Sequence, residues 1–271
     1  MRETMRGAAR GVVDAVRWSR PVRAVREWRE AGLFSRWPGR FHGVFETFAQ
    51  AAAAAPRGAR LGYDSPEMAG MYREHLERVF ENDYPVLLWL SRSFEEGARS
   101  VFDYGGHTGL KFFSFAKYLR YPDGLRWVVC EVPAVVSDGR RLAQMRGAPG
   151  GLAFTIIPED GNGHDILLAS GSLQYVEEPV AVRLARLQSP PRHLLLNKIA
   201  AYSGPAYVTL QNTMHAYNPY CVYNRGELLN SLYQLGYALV DEWEDLEHSV
   251  RMPLNPDREV PHYSGYYLRR V

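Results

Sequence analysis

The chain has 271 residues, a net charge of +2 and a hydrophobic fraction of 46%. That length and apolar content suit one large globular domain, or a core domain with an appendage, and argue against a disordered or fibrous chain. The near-neutral charge carries no overall nucleic-acid signature, and no apolar run approaches the roughly 18 residues that span a bilayer, so neither nucleic acid nor membrane is expected as a partner.

The basic charge is uneven. Residues 1–40 hold ten arginines, from Arg2 to Arg40, against Glu3, Asp14, Glu27 and Glu30. An acidic partner or a membrane surface could attract such an arm. Arginine replaces lysine throughout, however, the only lysines being Lys111, Lys117 and Lys198, so the arm reads as solvated and partly helical. Helical periodicity runs over 8–31 with an interruption at Pro21. Residues 37–43 read as a loop, 46–55 as a helix, 56–66 as a loop, and 67–94 as a helix with a break at Pro85. The expected organisation is a helical N-terminal extension over 1–94.

From residue 99 the rhythm changes. Apolar strands are expected over 100–103, 126–131, 152–157, 165–170 and 193–198, with helices over 109–120, 135–146 and 179–188 between them. Alternation of this kind predicts a parallel sheet with crossover helices. A further strand over 206–211, a helix over 225–235 ended by Gly236, and an antiparallel pair over 237–243 and 263–269 complete the pattern. The fold class is α/β: a Rossmann-like, mostly parallel sheet over 95–271 with an antiparallel C-terminal strand.

Two cysteines, Cys130 and Cys221, fit no metal or redox spacing. The scattered histidines show no ligand spacing either, and no metal is expected. With no apolar h-region near Met1, a cytoplasmic, reducing setting is the expectation.

The densest chemical signal is Asp103-Tyr-Gly-Gly-His-Thr-Gly109, a glycine cluster between a strand and a helix. Glycines there let the chain turn sharply and let a ligand approach the backbone. A phosphate P-loop would need Gly-Lys-Ser/Thr, which is missing. A nicotinamide or flavin site would need glycine where Tyr104 stands. An acidic residue leading into the turn suits a cationic ligand instead. The next strand ends in Glu131, at the spacing where nucleotide-binding folds hold a ribose.

These residues resemble the first motif of class I S-adenosylmethionine-dependent methyltransferases, with His107 in place of the usual middle glycine. Several segments extend the resemblance to a thinly characterised family of bacterial methyltransferases: Gly43-Val-Phe-Glu-Thr-Phe-Ala-Gln-Ala51, Gly62-Tyr-Asp64, Val129-Cys-Glu-Val-Pro133, Asp165-Ile-Leu-Leu-Ala-Ser-Gly-Ser-Leu-Gln-Tyr-Val-Glu-Glu-Pro179, Val208-Thr-Leu-Gln-Asn-Thr213, Gly236-Tyr-Ala-Leu-Val-Asp241 and Gly265-Tyr-Tyr-Leu-Arg-Arg270. Together they span 40–270. The resemblance implies S-adenosylmethionine as cofactor, S-adenosylhomocysteine as product, and O- or N-methylation of a small molecule in bacterial specialised metabolism. It also implies that the extension serves as a lid or a homodimer surface, with Phe41, Phe45, Phe48 and Gly62-Tyr-Asp64 covering the site.

On this reading Asp103, Tyr104, Gly105, Gly106 and Gly109 cradle the cofactor, and Glu131 accepts from its two ribose hydroxyls. Val132 borders the adenine, Asp160 meets its amino group, and Ser170 and Leu173 face the cofactor. Tyr63, Gln174, Lys198 and Asn212 are candidates for holding the substrate. His107, Tyr175, Gln211 and His215 are candidates for the chemistry, the histidines as general bases. Two other readings stay open: a member of the fold repurposed for binding without methylation, and a nicotinamide-dependent oxidoreductase.

Overall fold

The computed structural model describes residues 20–148 and 151–271. Residues 1–19 of the arginine-rich arm lie outside the described residues, and the expectation of helix over 8–19 lies with them.

Helix α1 (Arg20–Arg36) leads into β1 (Phe41–Phe45), α2 (Phe48–Ala53) and α3 (Pro66–Gly70). Thr47 and Ser65 cap the two short helices by accepting from the amides of Gln50 and Met68. A loop was expected over 37–43, yet β1 begins inside it. Gly39, at a φ of +78°, turns the chain, and its amide donates to the Asn212 carbonyl at 2.7 Å. The strand therefore exists through pairing with residues far downstream, which local composition does not encode. The single helix expected over 67–94 is also divided. After α3 come isolated turns at 73–75 and 81–83, and then α4 (Tyr84–Glu95). Pro85 opens α4 in its first turn, where a missing amide hydrogen costs nothing, instead of breaking a longer helix.

The alternating part follows: β2 (Ser100–Tyr104), α5 (Leu110–Phe115), β3 (Arg126–Cys130), α6 (Pro133–Met145), β4 (Leu152–Thr155), β5 (Ile166–Ser170), α7 (Val180–Arg186) and β6 (His193–Ile199). Next come β7 (Ala201–Tyr202), β8 (Tyr207–Asn212), β9 (Tyr217–Asn224), α8 (Arg225–Tyr233), β10 (Tyr237–Asp245) and β11 (Tyr263–Arg270). Seven strands form one sheet in the order β10-β11-β6-β5-β2-β3-β4. The five from β6 to β4 are parallel, β11 runs antiparallel to β6, and β10 antiparallel to β11. This is the Rossmann-like sheet expected from the alternation, with its antiparallel C-terminal edge.

Helices cover both faces. Val101 of β2 packs with Trp127, Val129, Leu90 and Phe115, beneath α4 and α5. Its neighbours Phe102 and Tyr104 point the other way, into a core built with Leu184, Leu229 and Leu232 from α7 and α8. The strict alternation along β2 explains why a strand buried on both sides reads as an almost continuous apolar run.

A second sheet, in the order β1-β8-β9-β7, was not anticipated. Its hairpin β8–β9 is inserted after β6, and β1 of the N-terminal extension adds to its edge. Phe41 is thus a core residue of this sheet, in edge-to-face contact with Tyr220 at 5.0 Å, and does not cover the site as expected.

Trp127 of β3 is fully buried and uses its indole N–H as well as its ring. Trp127→Ala should lower the unfolding free energy by about 3–5 kcal/mol. Urea melts of the two proteins at neutral pH test this, and a loss under about 1 kcal/mol would show that the site collapses around the truncation.

Candidate active site

Strand order reverses at β2, with β3 and β4 on one side and β5 and β6 on the other. The turns that follow β2 and β5 sit there at the carboxyl ends of the strands, the usual ligand position in such sheets. The glycine turn forms one wall of the candidate site. Gly105 takes a φ of +74°, and a Cβ on it would lie 2.2 Å from the Cβ of Ser172, so the turns after β2 and β5 touch at that point. Ser172 seals the contact by donating its hydroxyl to the Tyr104 carbonyl. Gly109, at a φ of +88°, begins α5.

Asp103 sits beneath this turn, fully buried. One of its oxygens accepts from the Trp127 indole at 3.1 Å, and the other has no partner. A Cβ on Gly106 would lie 2.3 Å from the Asp103 carboxylate, so the acid fills the space that the second glycine leaves. Burial pushes its carboxyl up to about 7 against the pull of Trp127 and Lys111. Tyr104 contributes only its backbone to the turn. Its ring lies in the opposite core under the Arg183 guanidinium, 5.2 Å from the ring centre.

Glu131 follows β3 and faces the turn. Its two oxygens accept from the His107 amide at 3.2 Å and from the Val132 amide at 3.0 Å. Burial pushes this carboxyl up to about 7 as well. Val132 caps α6, so the acid and the helix start are positioned by one chain reversal.

A strap from the extension lies across the mouth. The imidazole of His107 lies 3.0 Å from the Met68 carbonyl through Nε2 and 3.3 Å from the Thr108 hydroxyl through Nδ1. A carbonyl can only accept, so Nε2 carries the proton and Nδ1 accepts from Thr108. Burial lowers the pKa of His107 below its ordinary value, and the ring is neutral. His107 therefore fastens the strap instead of standing ready as a base. The strap is also tied to α6, through Asp64 accepting from the Ala134 amide at 2.8 Å and an Arg73–Asp138 ion pair at 3.0 Å.

Under the strap lies a group of phenols. Tyr63 meets Tyr175 edge-to-face at 4.8 Å, and Tyr72 meets His107 at 5.1 Å. Tyr175 donates to Gln211 of β8 at 2.7 Å. Burial pushes all three phenols above their ordinary pKa, so they are neutral donors. Tyr72 was missed from the sequence, where nothing distinguishes it from other helix-face aromatics.

The remaining expected residues divide. Ser170 accepts from Asn197 at 3.2 Å at the end of β5. Lys198 takes a φ of +57° and sets its ammonium 5.2 Å from the Phe80 ring centre. Its pKa is lowered by burial and by Lys111, against the pull of Asp83 and Asp245. Asp160 accepts from the Thr155 hydroxyl at the end of β4. Leu173 is packed into the α7 core and does not face the site. Gln174 donates to the Lys198 carbonyl and to Tyr220, joining the two sheets. Asn212 donates to the Phe34 carbonyl at 2.7 Å and anchors α1, so it is turned away from the mouth. His215 lies exposed at the β8–β9 hairpin tip, apart from the enclosed Tyr175 and Gln211. A further group was not foreseen: Asp245, Glu247 and His248 bring ligand atoms within 4.8 Å of one another, with His248 Nδ1 2.7 Å from Asp245.

No family model matches this sequence, and no curated protein matches it. Among solved structures, the chain is similar to the 1,6-didemethyltoxoflavin-N1-methyltransferase of Burkholderia thailandensis, at 18% identity and a TM-score of 0.46, over 70% of this chain and 79% of that one. It is similar to the magnesium protoporphyrin IX methyltransferase of Synechocystis PCC 6803, at 14% identity and a TM-score of 0.46, over 77% and 93%. It is also similar to a putative S-adenosylmethionine-dependent methyltransferase of Listeria monocytogenes, at 8% identity and a TM-score of 0.49, over 70% and 98%. Likenesses this distant assign no activity.

Asp103 ionises near 3.8 in an unfolded chain and near 7 in the fold. Between those values the folded state keeps a proton that the unfolded state has released, so stability falls as pH rises from about 4 to about 7 and is level beyond. Glu131 adds a slope of the same sign. Asp103→Asn, which keeps an acceptor for Trp127, should flatten part of this decline in urea melts from pH 4 to 8. A variant with the full native slope would show that Asp103 stays ionised in the fold.

Proposed function

We propose that the protein is an S-adenosylmethionine-dependent methyltransferase that methylates an oxygen or nitrogen of a small molecule. Glu131 carries this reading. It is a carboxyl at the switch point, sheltered enough to raise its pKa, and held by single backbone amides. Among the described residues it joins no salt bridge. Each of its oxygens keeps lone-pair capacity for one more donor, which suits the two adjacent hydroxyls of a ribose. The glycine turn beside it offers backbone to the amino-acid end, and Val132 borders the base.

When bound, the cofactor supplies an electrophilic methyl on a sulfonium, and transfer is an in-line displacement onto the acceptor. The chain's own part is positional. Tyr63, Tyr72 and Tyr175 wall the mouth with neutral phenols, and Gln211, oriented by Tyr175, is set to hold the acceptor. Orientation of this kind can supply several kcal/mol of the barrier. With His107 engaged at both ring nitrogens and the phenols neutral, the acceptor's proton leaves to water or is already gone. The kcat profile should accordingly follow the acceptor's own ionisation and survive His215→Ala, which tests the histidine at the hairpin tip.

Calorimetric titration with S-adenosylhomocysteine tests the cofactor assignment. Glu131→Ala should weaken binding at least tenfold, and Glu131→Gln somewhat less. Ribose hydroxyls favour the ionised carboxyl, so affinity should fall as pH drops below about 7, and binding should release protons in that range. A folded native protein that takes up no S-adenosylhomocysteine would end this reading. Binding without methyl turnover over a broad acceptor panel would leave the repurposed fold.

The strap closes the site through Asp64, Met68 and Arg73. It must yield for ligand to enter, so Arg73→Ala should raise the association rate for S-adenosylhomocysteine. Stopped-flow intrinsic fluorescence measures that rate; an unchanged value would place the gate elsewhere.

A further inference from the structure

Helix α1 is mounted with an apolar face outward. Its inner side is fixed at three points: Phe34 is buried and stacks on His42 at 5.1 Å, its carbonyl accepts from Asn212, and Arg26 donates to the Pro253 carbonyl at 2.9 Å. At 100° per residue, the opposite side carries Ala24, Val25, Trp28 and Ala31. Trp28 is 80% exposed and Val25 65%, and Trp37 just beyond the helix is 56% exposed. A surface helix ordinarily turns polar residues to water and keeps its apolar stripe for the core. Here the outward side holds Trp28, Val25 and the two alanines with Gly32 and Ser35 among them; Arg29 and Arg36, both exposed, run along one edge, and exposed Glu27 stands on the other.

The charge beside this face bears on what covers it. Exposed Arg29 and Arg36 flank it, and in the sequence residues 1–40 carry ten arginines against four acidic residues while the whole chain is only +2. A second copy docking through the same face would bring the same arginine row against itself, an arrangement that like charges oppose. A nucleic acid would be met by arginines but would gain little from valine and alanine at the centre of the contact. A lipid surface with anionic headgroups matches both parts: the apolar stripe enters the headgroup boundary, tryptophan prefers that depth, and flanking arginines meet the headgroups.

We infer that the outward face of α1, centred on Val25 and Trp28 and edged by Arg29 and Arg36, docks the protein on an anionic membrane surface. The contact lies in the plane of the membrane. No described helix is long and apolar enough to cross one, and the inference departs from the expectation of no membrane partner. The inference replaces the solvated-arm reading of the basic segment and does not depend on methyl transfer. It also orients the molecule. Asn212, which anchors α1, is the next residue after Gln211, so the docked face and the phenol-lined mouth are joined through β8.

Vesicle flotation with the full chain tests the inference, using phosphatidylcholine alone and phosphatidylcholine with phosphatidylglycerol at about three to one. The chain should float with the mixed vesicles, stay behind with the neutral ones, and be released by about 1 M salt, where screening lengths shrink to about 3 Å. Val25→Ser with Trp28→Ser should cut binding at least tenfold, and Arg29→Glu with Arg36→Glu should do the same. Both pairs lie on the solvent side, so circular dichroism should be unchanged. No binding to mixed vesicles overturns the inference, as does equal binding to both compositions or full binding by either variant. A dimer in sedimentation that Trp28→Ser dissolves, without vesicle binding, would assign the face to a second copy. RNA binding without vesicle binding would assign it to nucleic acid.

Discussion

A carboxylate sealed under a glycine turn governs the centre of this protein. Asp103 is held by Trp127 on one side and roofed by Gly106 on the other, with no room for even one extra carbon between acid and backbone. That packing fixes the height of the turn above the sheet. The height in turn sets Gly105 against Ser172 and points the His107 amide at Glu131. The acid in the motif thus works from below. It shapes the cradle, and any favour it lends to a cationic ligand acts through the turn and not by direct contact.

The same turn explains the position of the strap. His107 adopts a φ of +55°, a conformation that glycine would take more easily, and the imidazole thereby reaches the Met68 carbonyl. A glycine at this position could not hold the strap. The departure from the usual motif is therefore coupled to the extension that covers it. Tyr63 and Tyr72 lie near Glu131, and desolvation by burial raises the carboxyl's pKa.

Much of the larger sheet was legible because its strands are buried on both faces and its helices are short and regular. The runs 165–170 and 193–198 read as strands, and strands stand at Ile166–Ser170 and His193–Ile199. Glu131, expected at the end of the second strand, stands beside the glycine turn, where it accepts from the His107 amide. What the sequence did not show was the non-local part. β1 owes its existence to β8, about 170 residues away in the chain, and β9, Tyr-Asn-Pro-Tyr-Cys-Val-Tyr-Asn, interrupts its apolar residues with proline and asparagine. Only one strand of that sheet, over 206–211, was expected, and its pairing was not, so Asn212, Gln174 and Phe41 read as site residues although each is engaged in joining elements. Polar residues at strand ends look alike in sequence whether they meet a ligand or a neighbouring carbonyl, and only the register separates the two.

The candidate site is electrically lopsided. On the β3 side stands a carboxyl, Glu131, with only amides for partners. On the β6 side stands Lys198, whose ammonium faces the Phe80 ring and whose nearby charges include Lys111 as well as Asp83 and Asp245. Lys111 is already claimed by Asp83, which is fully buried, so that pair contributes little net field. Lys198 is held in a strained backbone conformation at the end of β6, a position that surrounding structure must maintain against a cost of about 1–3 kcal/mol. Between the two lie only neutral phenols and an amide. On the proposed reading, a ligand with hydroxyl donors at one end would find its partner at β3, and an acidic group on a second ligand would be drawn toward β6, so that charge would separate the two binding tasks before any side chain takes part in chemistry.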